Sequence, residues 1–330
     1  MKLVTFERAG KAQVGCMLDA DRILVFEEAC RLLPDFAPVT HHFRNMLALI
    51  ESGEVGLEAA RMLAEKAPAE ATVALSAVRL RAPIPRPPRF RSMSSYPAHL
   101  ARAQEGRARI LAAEAGDPEA AFKAAQTKFI ERPPAGYYET PVYWIMDPLC
   151  VSGPDDEIVW PAYSDWIDYE LELVAVIGKS GRDIPKEQAE DFIFGYTLLN
   201  DLSARDEQAK AAATSLSITA KGKDFENSYP IGPCIVTRDE IDVYNQQATL
   251  RVNGEVWASG STANPHWTFA DFIAYASRAA QLVPGEMVSS ATVGNCSGLE
   301  QARKGNPGDV VELEVSGIGI LRNSISINRS

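Results

Sequence analysis

The chain has 330 residues, and its 33 lysines and arginines stand against 44 aspartates and glutamates, for a formal net charge of −11. An acidic chain repels a phosphate backbone and an anionic lipid surface, so neither nucleic acid nor a membrane is expected as a partner. No apolar run approaches the roughly 18 residues of a membrane span, and the opening residues lack the pattern of a secretory signal. The five widely spaced cysteines include no Cys-x-x-Cys pair, which favours a reduced, cytoplasmic location over disulfides or a zinc cluster.

The first 85 residues predict a small N-terminal α/β domain. The segments KLVTFE and RILVF have the composition of short strands, whereas HHFRNMLALIESG and GLEAARMLAEKA have that of helices. Residues 81–90 then carry four prolines, which a helix cannot cross and whose stiffness suits a connector. We therefore divide the chain into a domain of residues 1–85 and a larger one of residues 86–330.

An Ala-rich insertion precedes the strand-rich part of the larger domain. Residues 96–131 are helical in propensity, Asp117 before a proline is suited to begin a second helix, and we expect a helical lid at about 96–142. Asn253-Gly254 between two alternating segments predicts a hairpin. The predicted strands are EIVWPA, DYELELVAVIG, FIFGYTLLND, PIGPCIVT, ATLRVNGEVWA, VVELEVSG and GILRNSI. Many strands with few helices between them argue against a doubly wound parallel sheet, so the predicted fold is α+β and β-rich.

The strand DYELELVAVIG carries the most specific chemical signal. Residues two apart point to the same face of a strand, so Glu170 and Glu172 present two carboxylates on one side. Two like charges at a buried position are costly unless something positive joins them, and oxygen-only ligands favour a hard ion such as Mg²⁺, Mn²⁺ or Ca²⁺. The alternative is a solvated face with its acids outward. Asp168 lies on the same face and either joins the cluster or is solvated near the strand end.

Two further segments supply charged candidates. Asp201 ends the apolar segment FIFGYTLLND, where a strand delivers an acid to a polar stretch; the alternative is a helix N-cap. Lys221 and Lys223 precede a Pro-Ile-Gly-Pro turn and offer a cation to an anionic substrate, although isolated lysines are more often solvated.

The ordered set DYELELVAVIGK, GYTLLNDLSARDEQ, KDFENSYPIGP and GDVVELEVSGIGILRNSI resembles the fumarylacetoacetate hydrolase family. The resemblance covers about residues 90–330, and the first 80 or so are similar to that family's small N-terminal domain. It implies the family's mixed β-sandwich roll with a helical lid insertion, and a homodimer.

The resemblance also implies a role for each matching side chain. The divalent metal, Mg²⁺ or alternatively Mn²⁺ or Ca²⁺, falls on Glu170, Glu172 and Asp201. The implied catalytic residues are the lid histidine, His99, and the active-site lysine, Lys223. The implied substrate-binding residues are Arg205, Gln208, Tyr96 and Asn295.

Three departures from the family pattern put the substrate in doubt. Arg102 stands three residues after His99, where many members carry Glu, so the carboxylate that orients the histidine must come from elsewhere, with Glu105 a candidate, or be absent. Asn295 stands in a C-terminal loop of residues 293–298 where a threonine is common. The lid is longer than in the smallest members, which reshapes the pocket.

Family members cleave or rearrange small 1,3-dicarbonyl or β-keto acids. The resemblance therefore implies a metal-dependent hydrolase that cleaves a C–C bond in a small diketo acid, with His99 activating a water. The alternatives are a β-keto acid decarboxylase, an isomerase or another lyase on the same metal scaffold. A third hypothesis is a non-enzymatic module whose acids bind Ca²⁺ structurally. The expected partner of the enzyme is a small anionic keto or diketo acid.

Overall fold

The computed structural model describes residues 1–129, 132–216 and 219–327, and it is strand-rich. Its strands are β1 (Lys2–Arg8), β2 (Lys11–Met17), β3 (Arg22–Val25), β4 (Thr72–Ala74), β5 (Arg79–Leu80), β6 (Phe90–Met93), β7 (Tyr143–Met146), β8 (Val151–Ser152), β9 (Glu157–Trp160), β10 (Ile167–Asp168), β11 (Glu170–Ile177), β12 (Ile193–Asn200), β13 (Ser203–Ala204), β14 (Tyr229–Thr237), β15 (Gln247–Val252), β16 (Glu255–Ser261), β17 (Met287–Ser297), β18 (Val310–Val315) and β19 (Gly319–Ile327).

The α-helices are α1 (Phe26–Leu32), α2 (Met46–Glu51), α3 (Gly53–Lys66), α4 (Pro97–Ala113), α5 (Pro118–Gln126), α6 (Lys186–Ala189), α7 (Arg205–Ala213) and α8 (Phe269–Ala276). Segments of 3₁₀ helix lie at Pro34–Phe43, Ala69–Ala71, Leu75–Ala77, Ala135–Tyr138, Pro148–Cys150, Glu190–Phe192, Ala220–Gly222, Arg238–Glu240 and Leu299–Gln301. In the described part of the chain, no helix is both long and apolar enough to cross a lipid bilayer.

Within the described residues, the largest sheet has twelve strands. Ten follow the order β4-β3-β2-β1-β14-β12-β11-β17-β6-β7, while β5 pairs with β1 and β8 with β14. The contact between β1 and β14 is antiparallel, with Leu3 opposite Ile235. The strands of the first 85 residues therefore extend the sheet of the larger predicted domain and do not form a separate one.

A second sheet of five strands, in the order β16-β15-β18-β19-β9, packs against the first. Side chains alternate along β11, so Leu171 and Leu173 join the core between the two sheets. Val174 and Val176 point the other way, into a second core that includes residues of α1 to α3. Because β11 is buried on both faces along its whole length, the alternative of a solvated acidic face is excluded.

The predicted α+β, β-rich class is confirmed. The local geometry also explains the predicted helix start at Asp117 and the predicted hairpin at Asn253-Gly254. The Asp117 side chain accepts a hydrogen bond from the backbone N–H of Ala120 at 3.1 Å and so caps α5. Asn253 and Gly254 both have positive φ in the turn between β15 and β16, as the hairpin signal predicts. The expected loop at 293–298 is wrong, because all but its last residue belongs to β17.

The strand β17 is missed because its sequence, MVSSATVGNCS, has no clear alternation of apolar and polar residues. Its serines and threonine are nevertheless buried between β11 and β6. Two of them, Ser289 and Ser290, bond to neighbouring groups on β11, which supplies the partners that buried hydroxyls need.

Candidate active site

The three predicted metal ligands meet where β11 begins and β12 ends. The two strands are antiparallel, with Leu171 opposite Asn200, so Glu170 and Glu172 come next to Asp201. Ligand oxygens of the three acids lie within 4.8 Å of one another, and all three residues are buried. The acids thus converge, and their role as metal ligands stays a prediction. We call these three residues the acidic cluster.

Lys223 reaches the acidic cluster from the segment after α7. Its Nζ donates to Oε2 of Glu170 at 2.6 Å and to Oδ2 of Asp201 at 2.5 Å. Burial lowers the pKa of Lys223, but the charges of Asp201 and Glu170 outweigh this effect and raise it. The other candidate lysine, Lys221, is exposed and donates to the carbonyl of Asp224 at 2.5 Å. The structure therefore brings Lys223, and not Lys221, to the acids.

Arg205, the first residue of α7, is the second buried cation. It donates to Glu170 and, through Nε and Nη2, to Oδ2 of Asp168 at 3.0 and 2.5 Å. Its Nη1 donates to Oε1 of Gln208 at 2.7 Å. Asp168 is fully buried and is not solvated at the strand end. It holds the guanidinium of Arg205 through these two hydrogen bonds, a role that the sequence did not indicate.

The other oxygen of Asp168 joins a second element to the site. Oδ1 accepts hydrogen bonds from the backbone N–H groups of Tyr169 and Leu299, each at 2.9 Å. A Cβ at Gly298 would lie 2.6 Å from this oxygen, so a glycine is needed for the close approach. Asp168 therefore ties the turn Leu299–Gln301, which carries Glu300, to the strand beside the acidic cluster.

Glu300 provides the carboxylate beside His99. Nδ1 of His99 lies 3.1 Å from Oε2 of Glu300, and Nε2 lies 3.5 Å from Oε1 of Glu170. The expectation that Glu105 orients the histidine is wrong, because Glu105 is exposed and pairs with Arg109 at 2.6 Å. Burial alone lowers the pKa of His99, but Glu300 and Glu170 outweigh it and raise the pKa to about 10. Because Glu170 belongs to the acidic cluster, the protonation of His99 is coupled to what that cluster holds.

The site contains more buried negative charge than its permanent cations balance. Burial, reinforced by the charges of Asp201 and Glu170, raises the pKa of Glu172 well above its usual range. Burial also raises the pKa of Asp201 to about 6, against the effect of Lys223. Oδ1 of Asp201 is buried and has no hydrogen-bond partner among the described residues. The buried carboxylates are Asp168, Glu170, Glu172, Asp201 and Glu300, and they outnumber the cationic groups Arg205, Lys223 and His99. This excess of charge and the unpartnered oxygen fit a hard divalent cation.

A cavity of about 600 Å³ opens onto the acidic cluster, and Arg205, Gln208 and Lys223 also line it. Tyr96 and Asn295 are not among its lining residues. The hydroxyl of Tyr96 donates to the carbonyl of Thr262 at 2.9 Å, and the side-chain amide of Asn295 donates to the carbonyl of Ser259 at 2.6 Å. Both side chains are thus held within the protein, and their contact with substrate stays a prediction.

Comparison with known proteins agrees with the fold. The model of the fumarylacetoacetate (FAA) hydrolase C-terminal family matches residues 109–326. Oxaloacetate tautomerase YisK of Bacillus subtilis is 28% identical over 334 residues, covering 98% of this chain and 100% of that protein. An uncharacterized protein of Pyrococcus abyssi is 36% identical over 187 residues, covering 57% of this chain and 80% of that protein. The solved fumarylacetoacetate hydrolase of Exiguobacterium antarcticum superposes with a TM-score of 0.72 at 26% identity, covering 99% of this chain and 100% of that one. The chain belongs to the fumarylacetoacetate hydrolase family.

Proposed function

We propose that this chain is a divalent-cation-dependent hydrolase that cleaves a C–C bond in a small diketo acid of the acylpyruvate type. The observation that carries the proposal is the buried pair of His99 and Glu300 beside the acidic cluster. Hydrolysis needs a base for water next to the centre that binds the substrate oxygens, and this arrangement supplies both. The likeness to a solved fumarylacetoacetate hydrolase supports the same class of reaction.

Glu170, Glu172 and Asp201 would hold the cation, and three carboxylates suit Mg²⁺ or Mn²⁺. When bound, such a cation supplies Lewis-acid polarisation of the substrate's keto and carboxylate oxygens. Lys223 and Arg205 line the same cavity, so both can donate hydrogen bonds to the anionic end of the substrate. Removing one donor of this kind costs on the order of 10²–10³ in rate.

In the proposed reaction, the neutral form of His99, which its raised pKa makes a minor species while Glu170 and Glu300 keep their charges, takes a proton from a water molecule, and the water oxygen attacks the acyl carbonyl carbon. Glu300, whose Oε2 lies 3.1 Å from Nδ1, stabilises the protonated form of the imidazole by its charge. The C–C bond then breaks, and its electron pair passes to the pyruvate half, which leaves as the enolate and takes up a proton. The products are a carboxylic acid that contains the water oxygen, and pyruvate.

Tautomerisation of a keto acid is the second candidate, because a relative aligned over 98% of this chain is named oxaloacetate tautomerase. That reaction moves a proton between the carbon beside the keto group and its oxygen, and no water attacks the substrate. The pair of His99 and Glu300 can also carry such a proton.

Incubation of the Mg²⁺-loaded protein with butanoylpyruvate in ¹⁸O-labelled water separates the two candidates. A hydrolase releases pyruvate and butanoate in equal amounts, and mass spectrometry finds solvent ¹⁸O in the butanoate carboxylate. A tautomerase leaves butanoylpyruvate uncleaved and accelerates the keto–enol interconversion of oxaloacetate. This interconversion is measured by ultraviolet absorbance. Failure to cleave acetyl-, butanoyl- and benzoylpyruvate with either Mg²⁺ or Mn²⁺ would exclude the hydrolase.

A further inference from the structure

The cavity over the acidic cluster has two chemically different ends. Its inner end is buried and charged, and is formed by the acidic cluster with Arg205 and Lys223. Its outer end is formed by apolar and aromatic side chains from the lid, from β7 and from the end of α7. These outer residues are Leu100, Tyr137, Val142, Tyr143, Trp144 and Leu216.

Two aromatic side chains of the outer end are held by contacts within the protein. The hydroxyl of Tyr137 is engaged within the protein, where it donates to the carbonyl of Ser94 at 2.9 Å. The ring of Tyr143 packs edge-on against Phe272, with ring centroids 5.4 Å apart. The rings are therefore held in place by the protein and give the outer end a fixed apolar wall.

The basic side chains that line the cavity lie at its inner end, and Arg91, whose guanidinium lies 5.5 Å from the centre of the Tyr143 ring, is paired with Glu286. Among the described residues that line the cavity, the basic ones are Arg205 and Lys223, and both already pair with acids of the site. A carboxylate at the outer end would lose water without gaining a cationic partner among the residues that line it. The outer end therefore disfavours a second carboxylate on the substrate.

We propose that the part of the substrate remote from its pyruvate half is an uncharged apolar chain, so that aliphatic or aromatic acylpyruvates are preferred over dicarboxylic ones. This inference rests on the proposed function for the reaction, although its binding component can be measured without turnover. Val142, Tyr143 and Leu216 are exposed, and an apolar chain against them removes apolar surface of both partners from water. A fully buried methylene is worth about fourfold in affinity, so we expect about two- to fourfold per methylene at this open wall.

Two unreactive ligands test the binding preference directly. 2-Oxohexanoate ends in a methyl group where 2-oxoadipate ends in a carboxylate. Neither ligand has the 1,3-dicarbonyl group that cleavage requires. Isothermal titration calorimetry of the Mg²⁺-loaded protein should find 2-oxohexanoate at least about tenfold tighter. Equal or tighter binding of 2-oxoadipate overturns the inference. If 2-oxohexanoate binds tighter but no acylpyruvate is cleaved, the proposed function fails and the inference stands.

A charge placed at the outer end tests the position of the apolar wall. Val142→Arg adds a cation to a side chain that is 47% exposed, so the fold should tolerate it. The matched control is Val256→Arg on β16, where the side chain is 52% exposed and outside the cavity lining. Val142→Arg should reduce the ratio of affinities for 2-oxohexanoate over 2-oxoadipate at least about fivefold. It should reduce the ratio of kcat/KM for butanoylpyruvate over succinylpyruvate by a similar factor. An unchanged binding ratio in Val142→Arg, or the same change in Val256→Arg, overturns the assignment.

Discussion

Replacing Glu300 by Gln tests whether the carboxylate beside His99 supports catalysis. The amide keeps the size of the side chain and one oxygen, so the hydrogen bond that the Asn295 backbone donates to Oε1 at 2.9 Å can persist. The change removes the negative charge that lies 3.1 Å from Nδ1 of His99. It therefore isolates the electrostatic contribution of Glu300 from its place in the turn.

The expected size of the effect follows from the distance between these two groups. At 3.1 Å and an effective dielectric constant of about 20, two unit charges interact by about 5 kcal/mol. Because the single glutamine oxygen keeps the hydrogen bond from Asn295, the amide NH₂ group faces Nδ1 and cannot accept a hydrogen bond from the imidazole, so most of this energy is lost when the imidazole carries the proton. At about 1.4 kcal/mol per tenfold, kcat should fall by about three orders of magnitude. KM should change little, because Glu300 does not line the cavity.

The assay compares Glu300→Gln with Glu105→Gln, using cleavage of butanoylpyruvate at saturating Mg²⁺. Glu105 lies on the same helix as His99 but is exposed and paired with Arg109, so its neutralisation should leave kcat within about twofold of the wild type. Thermal unfolding of both variants checks that the fold is retained. A Glu300→Gln variant that keeps wild-type kcat would refute the assignment of Glu300, and a large loss in Glu105→Gln would restore the expectation from sequence.

Three further predictions concern the cation, the arginine and the stability of the fold. Dialysis against a chelator should abolish turnover and added Mg²⁺ or Mn²⁺ should restore it; full activity in protein shown to be metal-free by elemental analysis would contradict the cation requirement. Asp168→Asn leaves the buried guanidinium of Arg205 with less compensation, so urea denaturation should show a loss of about 3 kcal/mol, and an unchanged midpoint would contradict the role of Asp168. Burial acts to raise the pKa of Asp271, but Lys186 and Thr268 outweigh it and lower the pKa, so this carboxylate stabilises the fold above its unfolded pKa and less as the pH falls. Asp271→Asn should therefore lower the melting temperature at pH 7 and do so progressively less as the pH falls below about 4, and a loss that does not shrink with falling pH would contradict the ionic origin.

The acidic cluster could be predicted from sequence because its geometry depends on a local rule. The period of two along a strand places Glu170 and Glu172 on one face whatever the rest of the chain does. The apolar run that follows them indicates that the strand is buried, and two neighbouring carboxylates on a buried strand require a positive partner. The position of Asp201 beside them depends on β12 lying next to β11, which the residues alone did not show and the family resemblance implied.

Glu300 could not be found in the same way. A search for the acid that orients His99 looks a few residues along the same helix, whereas the contact in the structure joins residues far apart in the sequence. A carboxylate three residues after His99 would lie on the same face of α4, and the sequence has Arg102 there. The acid comes instead from a turn about two hundred residues further along the chain. The sequence signal for this acid was Glu300 itself, which closely follows Ser297-Gly298. These two residues end the segment in which Asn295 stands where the family commonly has a threonine.

Asp168 explains why a distant turn can supply an acid with the accuracy that the site requires. One of its oxygens binds Arg205, and the other accepts the backbone N–H of Leu299, the residue before Glu300. The same carboxylate thus sets the position of Arg205, which lines the cavity, and of the acid that contacts His99. A side chain at position 298 would collide with this oxygen, so a glycine is needed there for the turn to come close enough to keep its hydrogen bond. One buried carboxylate therefore holds both Arg205 and the turn that carries Glu300, and this turn meets His99 from the lid helix α4 beside the acidic cluster.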